Sequence, residues 1–220
     1  MAIAGSKALL FDLDGTLLLS DPLHYQVFAE MFAERGKTLT QQIYETQIHG
    51  NHNLDSFPKL FPGEDPQALS DEKEARFRDS LGHGTAPMPG AEALLDRADR
   101  EGWRLAVVTN APRENGEYML EAIGLRKRFE LLIIGDECAR AKPDPEPYLL
   151  AMRELGVRPQ DCILFEDSPS GMRAAARSGG YAVGIRSGLP EDRLREAGAK
   201  ITIADYEDPA LEGILARLSA

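Results

Sequence analysis

Short apolar runs separated by longer amphipathic stretches constrain this chain more than any other feature. The runs are Ala8–Phe11, Leu105–Val108, Leu131–Ile134, Ile163–Phe165, Tyr181–Ile185 and the weaker Ile201–Ile203. Each is too short for a helix. Most are rich in Val, Ile or Leu and are followed by a turn signal, as expected of strands buried in a parallel sheet. Between them, Gly90–Glu101, Arg113–Ile123, Glu146–Leu155 and Ser170–Ser178 carry helical periodicity, with Gly102, Gly124, Gly156 and Gly179 just past their ends. A glycine there is a helix stop. Strand and helix in alternation predict an α/β fold, a doubly wound, Rossmann-like parallel sheet with right-handed crossovers.

One insertion breaks the rhythm between the loop Asp12–Thr16 and Pro89–Gly90. A structureless loop of that length does not suit a compact domain. Pro22–Arg35, Thr40–His49 and Gln67–Leu81 read as helices, with a Pro/Gly-rich joint at Phe57–Pro66. The expected organisation is therefore an α/β core at 1–17 and 88–220 and an inserted all-helical cap domain at 18–87. Leu18–Pro22 and Gly82–Pro89 are its expected hinges.

Charge and cysteine usage narrow the class of partner. A formal charge of -11 would repel a phosphate backbone, so nucleic acid is not an expected partner. A small anion is still admissible, because a metal ion and a few amide donors reverse the sign locally. Cys138 and Cys162 show no metal-binding or redox spacing, which suits free thiols in a reducing compartment. No apolar run reaches the roughly 18 residues of a membrane helix, and Met1–Ala8 does not read as a signal peptide. The expectation is a cytoplasmic protein without a membrane partner, its oligomeric state open.

In open parallel sheets ligands bind beyond the carboxyl ends of the strands, so the residues after each apolar run matter most. After the first comes Phe11-Asp12-Leu13-Asp14-Gly15-Thr16-Leu17, and after the second Thr109-Asn110. Lys142-Pro143 lies a few residues past the third, and Glu166-Asp167-Ser168 closes the fourth. Alone, an acid or a Thr-Asn pair after a strand is a helix cap or turn residue, and a lone lysine is a solvated charge. A carboxylate pair, a hydroxyl with an amide, an ammonium and a second carboxylate pair, in order on one edge, are hard to explain by capping.

Phe-Asp-Leu-Asp-Gly-Thr-Leu resembles the first signature of the haloacid-dehalogenase superfamily, and the three later groups resemble its second to fourth. The resemblance covers essentially the whole chain and points to the phosphoglycolate phosphatase and β-phosphoglucomutase branch. It implies a Mg2+-dependent phosphatase acting on a small phosphorylated metabolite. Asp12 would be the nucleophile, forming an aspartyl-phosphate that splits one hard hydrolysis into two easier steps. Asp14 would protonate the leaving alkoxide and then activate water. Asp12 and Asp167, through their side chains, and Asp14, through its carbonyl, would hold the metal. Thr109, the Asn110 amide and Lys142 would hold the phosphoryl oxygens. Glu166 would bind the metal through water, or orient Lys142 or the metal waters. His24, after Asp21-Pro22-Leu23, matches a family pattern and is a further substrate-binding candidate.

Three other readings compete. A halide-removing hydrolase of this family typically lacks an acid at the position of Asp14. A phosphosugar mutase of the β-phosphoglucomutase type supplies a cap arginine just after a glycine, and Gly50-Asn51-His52-Asn53-Leu54 contains none. A non-catalytic module could lose its nucleophile, whereas every chemical position here is filled. Substrate choice is expected to reside in the cap, where the pattern says least.

Overall fold

The computed structural model describes residues 6–49 and 53–219. The chain divides into two compact units, one comprising Met1–Leu19 and Gly84–Ala220, the other Ser20–His83. In chain order the helical unit carries α1 (Asp21–Glu34), α2 (Gln41–Ile43), α3 (Asn53–Leu60) and α4 (Pro66–Ser80). The α/β unit carries β1 (Ala8–Phe11), β2 (Arg104–Thr109), β3 (Leu131–Ile134), β4 (Cys162–Glu166), β5 (Tyr181–Ile185) and β6 (Ile201–Ile203). Its helices are α5 (Ala91–Glu101), α6 (Arg113–Ala122), α7 (Glu146–Leu155), α8 (Pro169–Ser178), α9 (Glu191–Ala197) and α10 (Ala210–Ser219).

The strands form one six-stranded sheet in the order β3-β2-β1-β4-β5-β6, and every pairing is parallel. This is the doubly wound α/β architecture. Every residue of β1 and β4 is buried, because both sheet faces are covered. Alternation divides the side chains: Ala8, Leu10, Ala106, Val108 and Leu164 pack with Tyr148, Met152 and Met172 of α7 and α8. On the other face Phe11 stacks on Phe165 at 5.0 Å, and Tyr206 meets both rings edge-on at 5.9 and 5.2 Å. Each such large side chain contributes roughly 1.5–3 kcal/mol by leaving water.

The helical unit is built on aromatic contacts. Val27, Phe28, Met31 and Phe32 form the buried stripe of α1, and Phe28 and Phe32 meet Phe57 and Phe61 at 5.6 and 5.0 Å. Those contacts correct one expectation. Phe57–Leu60 is not part of a joint but the second half of α3, with Pro58 inside the helix. The apolar spacing of Phe57, Leu60 and Phe61 outweighs the helix-breaking tendency of one proline, and the turn begins only at Phe61. The expected helix Thr40–His49 starts as α2, with Thr40 Oγ1 accepting from Ile43 N at 3.2 Å, and continues as a π-helical turn over Tyr44–Ile48. Residues 50–52, in the segment compared with the mutase loop, and residues 1–5 lie outside the described residues. No helix among the described residues is long and apolar enough to cross a membrane.

Candidate active site

The strand order reverses at β1: the chain first runs outward to β2 and β3, then returns to place β4 on the other side of β1. A crevice for ligand opens at such a reversal, beyond the carboxyl ends of the strands. Asp12 is the first residue past β1, and its amide donates to Phe165 O at 3.0 Å, which extends the ladder by one bond. Asp167 is the corresponding first residue past β4. Thr109 and Glu166 are the last residues of their strands rather than the first loop residues. That position sets the direction of Glu166. It shares the face of Leu164, and so points toward α7.

Lys142 gathers this edge together. Its Nζ donates to Asp12 Oδ1, Val108 O and Glu166 Oε1, each at 2.6 Å. An ammonium has three N–H groups, so all of them are used. Its side chain is 3% exposed and that of Glu166 is 0% exposed. Burial pushes Asp12 up to about 8, with the charge of Lys142 opposing and that of Glu166 adding to the rise. For Lys142 burial pulls downward, but the charges of Asp12 and Glu166 outweigh it and raise the ammonium above its usual range.

Carboxylate oxygens of Asp12, Glu166 and Asp167 lie within 4.8 Å of one another, all buried. One ammonium does not neutralise three buried carboxylates, and uncompensated buried charge is costly. Hard oxygen donors in negative excess are the ligand set that suits magnesium. The loop after Asp12 is shaped to the same cluster. Gly15 takes the left-handed conformation (φ 65°), and a Cβ there would overlap the Asp167 carboxylate. Thr16 Oγ1 and Ser187 Oγ donate to the two Asp167 oxygens at 3.4 and 3.5 Å. Gly15 N donates to Leu18 O at 2.9 Å and Leu17 N to Leu13 O at 2.8 Å, closing the turn that carries Asp14.

The other candidates are placed as follows. Thr109 is buried, and its Oγ1 accepts from Ala111 N at 3.0 Å. The Asn110 side chain grips the Lys142 peptide from both sides: Nδ2 donates to Lys142 O at 3.2 Å, and Oδ1 accepts from Lys142 N at 3.3 Å. His24 belongs to the helical unit, where its ring stacks on Phe77 of α4 with centroids 4.1 Å apart. Asp12, Lys142, Glu166 and Asn110 are thus joined in the α/β unit by direct contacts, with the Thr16–Asp167 pair beside them.

The family model for haloacid dehalogenase-like hydrolases matches residues 6–179. The chain belongs to that family. Among relatives of this haloacid dehalogenase-like hydrolase, protein CbbY of Rhodobacter capsulatus is 33% identical over 218 residues, 93% of each chain. A phosphorylated carbohydrates phosphatase of Thermotoga maritima is 29% identical over 211 residues, covering 91% of this chain and 95% of its own. The structure of CbbY from Rhodobacter sphaeroides in complex with phosphate is similar with a TM-score of 0.80 at 30% identity, over 98% of this chain and 100% of that one.

Three residues that sequence reasoning missed complete the hydrolase's site. Tyr148, on α7, donates its hydroxyl to Glu166 Oε1 at 2.8 Å. Gly171, on α8, lies so close to Glu166 that any Cβ would overlap the carboxylate. Tyr206, past β6, donates to Thr16 O at 3.1 Å. The first and third carry no local signal in the sequence, because their partners are 18 and 190 positions away.

Proposed function

We propose that this hydrolase is a magnesium-dependent phosphatase that cleaves a small phosphate monoester, a sugar phosphate or similar metabolite, through a phosphorylated Asp12. The observation that carries the proposal is the Asp12 carboxylate at the reversal of the sheet, fixed by Lys142 through a 2.6 Å bond beside two further buried acids. Asp12 would attack phosphorus, and the ester P–O bond would break. Asp14 would give its proton to the departing alkoxide and then take one from water. That water would attack the acyl phosphate, releasing inorganic phosphate and restoring the Asp12 carboxylate. Thr109 and the Asn110 amide would bind phosphoryl oxygens.

Asp12, Asp167 and the Asp14 carbonyl would hold the magnesium ion. When bound, it neutralises the approach of the phosphate to the carboxylates. The carboxylate cluster supports this role. Lys142 would act first on the nucleophile, since a bond to phosphate would have to replace one of its three present bonds. The sugar-phosphate class draws support from the phosphorylated carbohydrates phosphatase relative and from the phosphate complex of CbbY. We further place the chain in the phosphoglycolate phosphatase and β-phosphoglucomutase branch, with His24 as a substrate-binding residue. The two free thiols suit a cytoplasmic setting.

A panel of phosphate monoesters, assayed for released phosphate, tests the proposal. Activity is expected with magnesium, to be lost with a chelator, and to be poorly supported by calcium, whose larger and looser shell misplaces the nucleophile. Full activity in chelated buffer would refute the metal assignment. Rapid conversion of β-glucose 1-phosphate to glucose 6-phosphate without phosphate release would replace the phosphatase with a mutase.

A further inference from the structure

Tyr148 stands in the first turn of α7, fully buried, with its hydroxyl 2.8 Å from Glu166 Oε1. A buried phenol needs an acceptor, and a carbonyl would serve. Its acceptor here is the same carboxylate oxygen that receives Lys142 Nζ at 2.6 Å. Lys142 Nζ also lies 5.1 Å from the centre of the Tyr148 ring. The phenol, Glu166, Lys142 and Asp12 therefore form one continuous chain of hydrogen bonds. Every member is buried, and no water is needed to connect them.

Two features make this chain directional. A carboxylate oxygen offers two lone-pair sites. With the phenol on one, the ammonium is confined to the other. Gly171 presses on the same carboxylate from α8, and Ser168 Oγ lies 3.4 Å from its Oε2. Glu166 is thus constrained from three elements and cannot swing without breaking a bond or striking backbone. Lys142, bound to Glu166 and to Val108 O, presents its remaining N–H to Asp12 Oδ1.

We propose that Tyr148 is a positioning residue for catalysis: its hydroxyl fixes Glu166, Glu166 fixes Lys142, and Lys142 holds the Asp12 carboxylate in the orientation for attack. This rests on the reading of Asp12 as the nucleophile. The Tyr148 hydroxyl is spent on Glu166, so its loss should change the rate of attack and not the binding of the ester. Misplacing a nucleophile slightly is enough to slow a reaction severely.

Tyr148→Phe keeps the ring and removes only the hydroxyl. With magnesium saturating, kcat is expected to fall about tenfold while KM stays within twofold, the pattern of an interaction used mainly in the transition state. The loss should be equal for an alkyl phosphate and for 4-nitrophenyl phosphate, because attack is slowed whatever the leaving group. In a Glu166→Ala background, which removes the shared acceptor, the same substitution should cost less than twofold, since its effect passes through Glu166. A kcat within twofold of wild type, a loss confined to KM, or an undiminished tenfold loss in the Glu166→Ala background would each overturn the inference while the phosphatase reading stood. Wild-type protein inactive on the whole panel, or a fully active Asp12→Asn variant, would overturn both. Thermal melts of the single variant separate a kinetic loss from a loss of folded protein.

Discussion

Lys142 and Lys73 are both buried ammonium groups, with side chains 3% and 6% exposed, yet they are held in opposite ways. Lys142 bonds to Asp12 and Glu166, 130 and 24 positions away, which the sheet brings to one edge. Lys73 bonds to its neighbour Glu74 at 2.9 Å and lies over the rings of Phe28 and Phe77 at 5.8 and 5.4 Å. Asn53 Nδ2 completes that arrangement by donating to Glu74 Oε1 at 2.7 Å. The first lysine faces more negative charge than it can neutralise. The second is matched by one carboxylate and two aromatic faces. Surplus buried charge destabilises a fold and is retained where it does chemistry. Substitutions at the α/β edge should therefore cost rate with little loss of stability, and substitutions around Lys73 should cost stability first.

Asp12→Asn is the strongest test. An amide cannot form the acyl phosphate, so turnover is expected to drop at least about a thousandfold. Its oxygen can still accept from Lys142, and one buried negative charge is gone, so stability should stay within about 1 kcal/mol. Phosphate release and a denaturant melt on the same sample measure both quantities. More than a few per cent of residual rate would mean that the nucleophile lies elsewhere. A large loss of stability would break the contrast between the two regions.

Asp14→Ala should separate proton transfer from attack within the same loop. General acid catalysis contributes roughly a hundredfold or more where the leaving group is basic. Alkyl phosphates should lose at least that factor and 4-nitrophenyl phosphate much less, while phosphorylated protein accumulates with the good leaving group. Equal losses on both esters would reduce Asp14 to a metal ligand or a loop residue. That outcome would leave the Asp12 chemistry untouched.

The α/β edge was legible because its groups directly follow apolar runs, and a strand end is a fixed address in a parallel sheet. Asp12 and Asp167 needed only that rule. Tyr148 did not yield to it, since it begins the stripe Tyr148, Ala151, Met152, Leu155 that any amphipathic helix shows. Only the register of β4 decides that a carboxylate meets that stripe. Gly171 carries no signal at all until Glu166 is placed against it. In the helical unit, Pro58 invited a break that aromatic packing overrules. α9, α10 and the Tyr206 brace lay beyond the motifs and were not foreseen. Local pattern reveals strands and caps. Crowding and distant pairing are properties of the assembled fold.

Lys73→Met probes the second lysine. It removes one partner of a buried pair and leaves Glu74 with the Asn53 bond, so a loss of about 1–3 kcal/mol is expected. Methionine keeps contact with the two aromatic rings, which holds the loss toward the lower end. The kcat of the folded fraction should change by less than tenfold. A larger drop in kcat at unchanged stability would show that this charge, like Lys142, serves the reaction.

The smallest effect should come from His49 of the helical unit, whose pairing with Asp21 ties stability to pH. Its Nε2 lies 3.1 Å from Asp21 Oδ2, where α1 begins, and its amide donates to Tyr44 O at 2.8 Å. The hydrogen bond to Asp21 raises its pKa above the ordinary 6.5; burial opposes, and the charges of Asp21 and Glu45 add to the rise. The protonated form is therefore favoured by folding. Its contribution to stability is complete below the unfolded value near 6.5, and is lost as pH rises through the higher folded value. His49→Gln keeps a hydrogen-bond donor but cannot titrate. The wild-type melting temperature minus that of the variant should then be largest at acidic pH and shrink as pH rises through the neutral range. The half-exposed Asp21 partner and solvent screening limit the change to about 1–3 °C. A difference that stays flat with pH would mean that His49 is neutral throughout. One that grows toward alkaline pH would mean that folding lowers its pKa, and the Asp21 contact could not then be its dominant interaction.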